Sequence, residues 1–341
     1  MERYGVVLIG CGATSKRHLQ AITENKRCEL IGVADIVSKR AKESAQKYNA
    51  RIWETDYKKL IQRDEVDIVI ITTWPSSHAE ISINSMKAGK HILCEKPITK
   101  TLKDAERVLK AVSQTKKKMR IGYILRHNKS YQKMAQMIEN GYIGKPIIMR
   151  MAGAEHIITR PHWEQDQALI KDTSPIIDCG CHYIDVMRWF TGREATSVTG
   201  AGLRVEKETP KNKYDWGIIT IRFNDGSVGT YEVGWGHNFR NFNEKEFIGP
   251  KGRIRLIYKS HRFEHSEEGD LIEYYSYPDH YEMINVKGEL KPTGAQLENL
   301  IEYIEKDKDP MHGLKDAYKS LEIILAGHKA IMSGKEQRIN R

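Results

Sequence analysis

The fold of the first half of this chain is decided in the stretch GVVLIGCGATS, residues 5–15. Residues 5–9 are continuously apolar, which is typical of a strand buried on both faces of a parallel sheet. Gly10 permits a tight turn, and Gly12 allows the backbone to approach a phosphate closely. The helix that follows presents free N–H groups and the positive end of its dipole. The stretch therefore predicts a pyrophosphate-binding turn, made by Gly10, Gly12, Ala13, Thr14 and Ser15.

Short apolar runs and helical patterns then alternate along the chain. The apolar runs are 30–34, 66–71, 91–94 and 120–123, and the helical patterns are 15–23, 38–48, 77–88 and 102–115. Strand–helix alternation with short connections predicts an α/β domain with a doubly wound parallel sheet. We expect this dinucleotide-binding (Rossmann) domain to span residues 1–123.

Residues 124–341 have a different pattern. Helical spacing occurs at 130–140, 178–190, 295–305 and 313–333. Between them, residues 197–287 are rich in short alternating runs of Thr, Val, Tyr and Ile. The turns Asn224-Asp225-Gly226 and 249–252 (GPKG) are hairpin signals. This half is predicted to be an α+β domain with a large, mostly antiparallel open sheet.

Composition excludes several classes of function. The 341 residues are 40% hydrophobic and 29% charged, with a net charge of +10, as in an ordinary globular protein. The basic residues are scattered, so we expect no nucleic-acid binding. No segment approaches the roughly 20 apolar residues of a membrane span. The five cysteines form no regular framework, which favours free thiols and a cytoplasmic protein.

Asp35 ends the second predicted strand and bears on the choice of cofactor. A carboxylate at this spacing binds the adenosine ribose of NAD and repels the 2′-phosphate of NADP. NAD is therefore the expected cofactor. Lys39 and Arg40 follow closely and leave NADP possible. The alternative is a plain turn, with Asp35 as an incidental helix cap.

Further motifs carry a resemblance to a known family. Glu95-Lys96-Pro97 follows the fifth strand, Arg126 follows the sixth, and 141–146 reads G-x-I-G-x-P. The segment from Asp178 to Asp185 reads D-x-G-x-H-x-x-D. In this order and spacing, nearly the whole chain resembles the glucose–fructose oxidoreductase / inositol dehydrogenase / MocA (Gfo/Idh/MocA) family.

The resemblance implies an NAD(P)-dependent dehydrogenase acting on the CH–OH groups of a sugar, polyol or sugar derivative. It implies a substrate cleft between the domains and a homodimer or homotetramer packed through the C-terminal sheet. It also implies that Lys96, Asp178 and His182 surround the reacting carbon, so these three are the predicted catalytic residues. Further cofactor contacts are predicted at Thr73, Trp74, His78 and Glu95, and substrate contacts at Tyr123, Arg126, Arg160 and His162.

The chain departs from the family pattern at three places. Trp74 stands where the family usually has Pro. Residues 171–175 (KDTSP) replace a Gly-rich run, and His127 stands where an aromatic residue is common after the Arg. The first two changes leave the shape of the substrate mouth, and so the substrate, open.

The chemistry of the second motif follows from helical spacing. Asp178 and His182 are four residues apart and share one face of a helix. Histidine suits the removal of a hydroxyl proton near neutral pH, and Lys96 could donate a hydrogen bond to the same oxygen. The alternative is that His182 is a core residue satisfied by a neighbouring Asp. Cys179 and Cys181 point apart on a helix and lack a second pair, so no metal site is predicted.

Two other functions remain as alternatives to a dehydrogenase. The first is redox-neutral glycoside cleavage by elimination with a retained cofactor. The second is a non-catalytic protein that senses NAD(H).

Overall fold

The structure is a computed structural model, and it describes residues 3–154, 172–236, 243–259, 268–309 and 313–339, with the single positions 169, 239 and 311. The described chain divides into two compact units. Unit 1 contains residues 1–127 and 291–321, and unit 2 contains residues 128–290 and 322–341. None of the helices in these ranges is long and apolar enough to cross a membrane.

Unit 1 is built on a parallel sheet. In chain order its strands are β1 (Tyr4–Ile9), β2 (Cys28–Ala34), β3 (Ile52–Glu54), β4 (Ile68–Ile71), β5 (His91–Cys94) and β6 (Met119–Ile121). Their order in the sheet is β3-β2-β1-β4-β5-β6, and each described pairing is parallel. The order reverses between β1 and β4, which is the point where doubly wound sheets bind ligands beyond the carboxyl ends of their strands.

Helices connect these strands. They are α1 (Ser15–Glu24), α2 (Ser38–Tyr48), α3 (Tyr57–Ile61), α4 (Pro75–Lys87) and α5 (Leu102–Thr115), followed by a 3-10 turn at Ile124–His127. Strands β1 and β4 are almost wholly buried, because helices lie on both faces of the sheet. The predicted doubly wound domain is confirmed.

Unit 2 contains a nine-stranded sheet of described strands. They are β7 (Ile148–Ala154), β8 (Ala195–Leu203), β9 (Trp216–Phe223), β10 (Val228–Gly234), β11 (Asn243–Gly249), β12 (Gly252–Ile257), β13 (Asp270–Ser276), β14 (His280–Val286) and β15 (Gln337–Arg338). The order is β14-β13-β12-β11-β7-β10-β9-β8-β15. All pairings are antiparallel except that of β7 with β10. The predicted, mostly antiparallel sheet is confirmed, and 224–226 and 249–252 lie at its hairpin turns.

The remaining helices are α6 (Lys129–Glu139), α7 (Pro175–Thr191), α8 (Thr293–Glu305) and α9 (Leu314–Ser333). Helix α7 packs closely on β10. A Cβ built on Gly180 would lie 3.0 Å from the Tyr231 ring, and one on Gly229 would lie 2.5 Å from Met187 Sδ. These glycines let the helix and the sheet approach each other, so the position of α7 is tightly determined.

Helix α8 belongs to unit 1, although the sequence analysis placed residues 124–341 together. Its Leu297, Leu300 and Ile301 are buried in one core cluster with Leu8 and Leu19. Arg27 adds an ion pair to Glu298 at 2.8 Å. The segment from 291 to 321 is therefore packed in the first unit, although it follows the second in the sequence. The predicted boundary at 123 lies four residues from the end of the first segment of that unit.

Candidate active site

The predicted phosphate turn joins β1 to α1. Gly10 has φ +97°, and an added Cβ would lie 2.8 Å from the Thr73 nitrogen, so only glycine fits. A Cβ on Gly12 would meet nothing within 4 Å, so open space lies above this part of the turn. The Ser15 hydroxyl donates to the Gly12 carbonyl at 2.6 Å and fixes the turn from within. Ala13 and Thr14 remain accessible at the start of α1. This arrangement fits a dinucleotide pyrophosphate.

Asp35 lies at the carboxyl end of β2 with only 5% of its side chain exposed. Its Oδ2 accepts from the Cys11 backbone N–H at 2.8 Å, which ties the carboxylate to the phosphate turn. Its Oδ1 accepts from the Val37 backbone N–H at 2.8 Å. The same oxygen accepts from the Arg40 Nη2 at 2.9 Å and Nε at 3.1 Å. The predicted ribose-binding carboxylate is thus paired with a guanidinium.

Three predicted cofactor residues lie after β4. Thr73 is half-buried, and its hydroxyl accepts from Ser77 at 2.7 Å. Trp74 is 43% exposed and precedes α4, which leaves its ring available to a ligand. His78 is fully buried, with Nδ1 2.8 Å from the Pro97 carbonyl and Nε2 3.1 Å from the Thr73 carbonyl. Burial lowers the pKa of His78. The His78 ring therefore links the loop after β4 to the loop after β5. Because the ring is fully buried, it can act on a bound cofactor only by holding those two loops in position.

The Glu95-Lys96-Pro97 motif follows β5 and is anchored by a residue of α1. His18 Nε2 lies 2.8 Å from Glu95 Oε1, and the side chains are 2% and 15% exposed. Glu95 Oε2 accepts from the Lys96 backbone N–H at 3.2 Å. The carboxylate therefore joins the phosphate-binding helix to the backbone of Lys96. The Lys96 side chain itself is half-buried.

Tyr123 and Arg126 follow β6. Tyr123 is 6% exposed, and Arg126 Nη2 lies 3.6 Å from Asp316 Oδ2. The adjacent His127 has its pKa lowered to about 4 by burial and by the charges of Arg120 and Arg126. Because the carboxyl ends of parallel strands meet at one edge, the sheet gathers its predicted site residues there. Those placed at this edge are Gly10, Asp35, Thr73, Glu95, Lys96 and Tyr123.

The second predicted motif lies on α7 in unit 2. Asp178 and His182 are both half-buried and one turn apart, as the spacing predicted, whereas Asp185 is 1% exposed. The start of this helix is tied down by Ser174. The Tyr214 hydroxyl donates to Ser174 Oγ at 3.0 Å. The same hydroxyl lies 2.9 Å from His328 Nδ1, which is on α9.

The two cysteines beside these residues bond locally. The Cys181 thiol donates to the Asp178 carbonyl at 3.1 Å, and the Cys179 thiol lies 3.5 Å from the Asp178 carboxylate. Within the described ranges, no three His, Cys, Asp or Glu side chains are grouped so as to hold a metal ion. The predicted substrate residues Arg160 and His162 lie outside the described residues.

Comparison with known proteins identifies the family. Residues 4–123 match the GFO_IDH_MocA model, described as an oxidoreductase family with an NAD-binding Rossmann fold, and residues 131–255 match the GFO/IDH/MocA C-terminal domain. The chain belongs to the GFO/IDH/MocA family. It is therefore an oxidoreductase with an NAD-binding Rossmann domain, and the resemblance drawn from the motifs is confirmed.

A named dehydrogenase is similar to this chain in sequence, and two solved structures share its fold. The chain is 29% identical to scyllo-inositol 2-dehydrogenase (NAD(+)) of Bacillus subtilis over 256 residues, 72% of each protein. An oxidoreductase domain protein from Kribbella flavida has a TM-score of 0.85 at 22% identity, covering 100% of both chains. Myo-inositol 2-dehydrogenase from Lactobacillus plantarum has a TM-score of 0.81 at 20% identity, covering 99% of this chain and 100% of that one.

One site residue, His18, and one side-chain pairing, that of Arg40 with Asp35, could not be predicted from the sequence. His18 lies on the face of α1 that also buries Ser15, Leu19 and Ile22. Helical spacing from Ser15 would have placed it beneath the phosphate turn, but no pattern names Glu95 as its partner. The pairing of Arg40 with Asp35 likewise depends on a side-chain rotamer that the sequence does not specify.

Proposed function

We propose that this GFO/IDH/MocA protein oxidises a secondary alcohol of a polyol or sugar and transfers hydride to NAD. The proposal is carried by three features that one chain contains: an accessible dinucleotide turn, the Lys96 motif after β5, and the Asp178–His182 pair on one face of α7. Relatives named as inositol dehydrogenases favour a polyol substrate. They also favour a dehydrogenase over glycoside cleavage or an NAD(H) sensor.

The proposed chemistry divides the work among three side chains. NAD, when bound, supplies the acceptor for the hydride that leaves the carbinol carbon. His182 takes the hydroxyl proton as general base, since an imidazole changes its charge near neutral pH. Lys96 donates a hydrogen bond to the same oxygen, and Asp178 accepts from the substrate or orients its neighbours. Tyr123, Arg126, Arg160 and His162 are proposed to bind the remaining hydroxyl groups.

A substrate screen tests this function. Inositols, aldoses and glycosides are each mixed with the enzyme and NAD, and the formation of NADH is followed by absorbance. We expect NADH with at least one polyol or aldose and a ketone as the product. Glycoside cleavage without net NADH would favour the redox-neutral alternative, and binding of NAD without turnover of any compound would favour the sensor.

We further propose a homodimer or homotetramer packed through the nine-stranded sheet. Met149 faces α7, because it pairs in the sheet with Gly229, which contacts Met187 of that helix. Alternation then turns Ile148 and Arg150 to the opposite face. Ile148 is 47% exposed there, a large apolar side chain on a sheet face.

Sedimentation measures this assembly. We expect the wild-type chain to sediment as a dimer or tetramer and Ile148→Asp to shift it toward the monomer. A monomeric wild-type protein at micromolar concentration would exclude the assembly.

We also propose that the protein is cytoplasmic. All five cysteines are free thiols, which supports this location.

A further inference from the structure

A buried lysine packs against helix α7 without a carboxylate partner. Lys245 on β11 is 0% exposed. Among the described residues, its Nζ donates to the Ala152 carbonyl and to Asn243 Oδ1, and it lies 4.4 Å from the centre of the Tyr183 ring. None of these partners carries a negative charge, and burial lowers the pKa of Lys245 to about 7. A buried ammonium with only neutral partners lowers the free energy of unfolding, and such unfavourable groups cluster at functional sites.

Lys245 fixes the orientation of the Asn243 amide. An ammonium has only donors, so it faces the amide oxygen and not the amide nitrogen. The neutral amine that forms as the pH rises still has two N–H groups, one for each of its two oxygen partners. The Nδ2 group of Asn243 is therefore directed away from Lys245 with its two N–H donors. Asn243 is half-buried, and within the described ranges its Nδ2 donates to no protein group.

Asn243 lies near the turn of α7 that carries the proposed base. The side chains of Asn243, Lys245 and Phe247 lie on one face of β11, because side chains alternate along a strand. Phe247 contacts the last turn of α7, and Lys245 contacts Tyr183, which is about two turns nearer the start of the helix. Asn243 is the next position in the same direction, toward the turn that carries His182.

A glycine on the neighbouring strand supports this placement. Gly153 of β7 pairs with Asn243 in the sheet, so both positions face α7. A Cβ built on Gly153 would lie 3.6 Å from the Tyr183 hydroxyl. The hydroxyl end of Tyr183 is therefore level with Asn243, and His182 is the preceding residue of α7.

These contacts point to a polar residue that discriminates between substrates. We propose that Asn243 is a substrate-binding residue, whose Nδ2 donates to a hydroxyl oxygen of the polyol other than the one that His182 deprotonates. Lys245 is the positioning residue that holds the amide for this contact. A fixed donor favours a substrate with a hydroxyl at one position and disfavours the analogue that lacks it, so Asn243 determines specificity. The proposal rests on the polyol substrate of the proposed function.

Binding to the NADH complex tests this contact without turnover, because NADH cannot accept a hydride. The dissociation constants of myo-inositol, scyllo-inositol and their monodeoxy analogues are measured by calorimetry on the intact protein with NADH bound. In the wild type, loss of one particular hydroxyl should weaken binding by about 5–50-fold, the scale of a donor left without its partner. Asn243→Ala should weaken the parent inositol by a similar factor and lose nothing more with that one analogue. The other analogues should show additive losses.

Two further variants separate positioning from packing. Lys245→Met removes the buried charge, so the melting temperature at pH 6 should rise while inositol binding weakens by about 3–10-fold. A purely structural lysine would not shift these two readouts in opposite directions. Glu244→Gln is the matched control, because it changes the adjacent position on the opposite face of β11, and it should leave all dissociation constants within about twofold. In Asn243→Ala, KM should rise by about 5–50-fold with kcat within about threefold of the wild type.

Several results would overturn the proposal. In the wild type, they are no binding of either inositol or equal affinity for each parent inositol and all its deoxy analogues, and neither result depends on the folding of a variant. In folded Asn243→Ala, they are wild-type affinity or an equal further loss with every analogue. The expected binding pattern without formation of NADH from NAD would instead contradict the proposed hydride transfer and leave the role of Asn243 intact.

Discussion

The two glycines of the phosphate turn should respond in opposite ways to an added methyl group. In Gly10→Ala the new Cβ would lie 2.8 Å from the Thr73 nitrogen and Cγ2, at a φ of +97°. Backbone strain and overpacking together should lower the free energy of unfolding by about 2–6 kcal/mol. In Gly12→Ala the Cβ enters open space, so the free energy of unfolding should change by less than about 1 kcal/mol.

The cost of Gly12→Ala should appear in cofactor binding instead. The open space above Gly12 is where the backbone must approach a pyrophosphate closely. A methyl group there should raise the dissociation constant of NAD by about 10–100-fold, the equivalent of overpacking by one methyl group. Urea unfolding gives the stability of both variants, and calorimetry gives the affinity. A folded Gly12→Ala protein that binds NAD as tightly as the wild type would refute this account of the turn.

Three further predictions concern individual charged residues. Asp35→Ala should reduce the ratio of the NADP to the NAD dissociation constant. Tighter binding of NADP than of NAD by the wild type would show that Asp35 does not act as the ribose-binding carboxylate. Lys96→Ala should lower kcat by about 10²–10⁴-fold with little change in NAD affinity, so a near-normal kcat would exclude it from acid–base chemistry. Burial lowers the pKa of Lys245 from 10.5 to about 7. The buried charge therefore lowers the free energy of unfolding by its full amount below pH 7, and by less and less as the pH rises toward 10.5. Lys245→Met should therefore gain melting temperature over the wild type at pH 6, and the gain should shrink by pH 10; a constant difference would show that Lys245 does not titrate in this range.

Sequence periodicity predicted the elements of unit 1 well where local signals were strong. The predicted bounds of α2 and α5 agree with the structure, and the fingerprint located β1 and α1. Strand β3 was missed because Ile52–Glu54 is an edge strand of three residues with no buried member. The five-residue α3 was too short for a helical period to show.

Pairings between strands or side chains that are far apart in the chain could not be predicted from the sequence. Hairpin turns predict only neighbouring antiparallel strands, so the parallel pairing of β7 with β10 has no local signal. An amphipathic helix likewise does not name the sheet it covers, which is why α8 was grouped with the second domain. The same limit applies to the site. Asp178 and His182 could be placed on one helical face, whereas the His18–Glu95 pair joins residues 77 positions apart.

The turnover of His182→Ala across pH tests the proposed chemistry most directly. The wild-type kcat should fall as the pH is lowered from about 7 to about 5, because protonation removes the base. The folded variant should have a kcat lower by about 10²–10⁴-fold, and it should lose that acidic limb. Melting temperature, measured alongside, reports any loss of packing separately. A folded His182→Ala enzyme with near-normal kcat and an unchanged pH profile would contradict the assignment of His182 as the base.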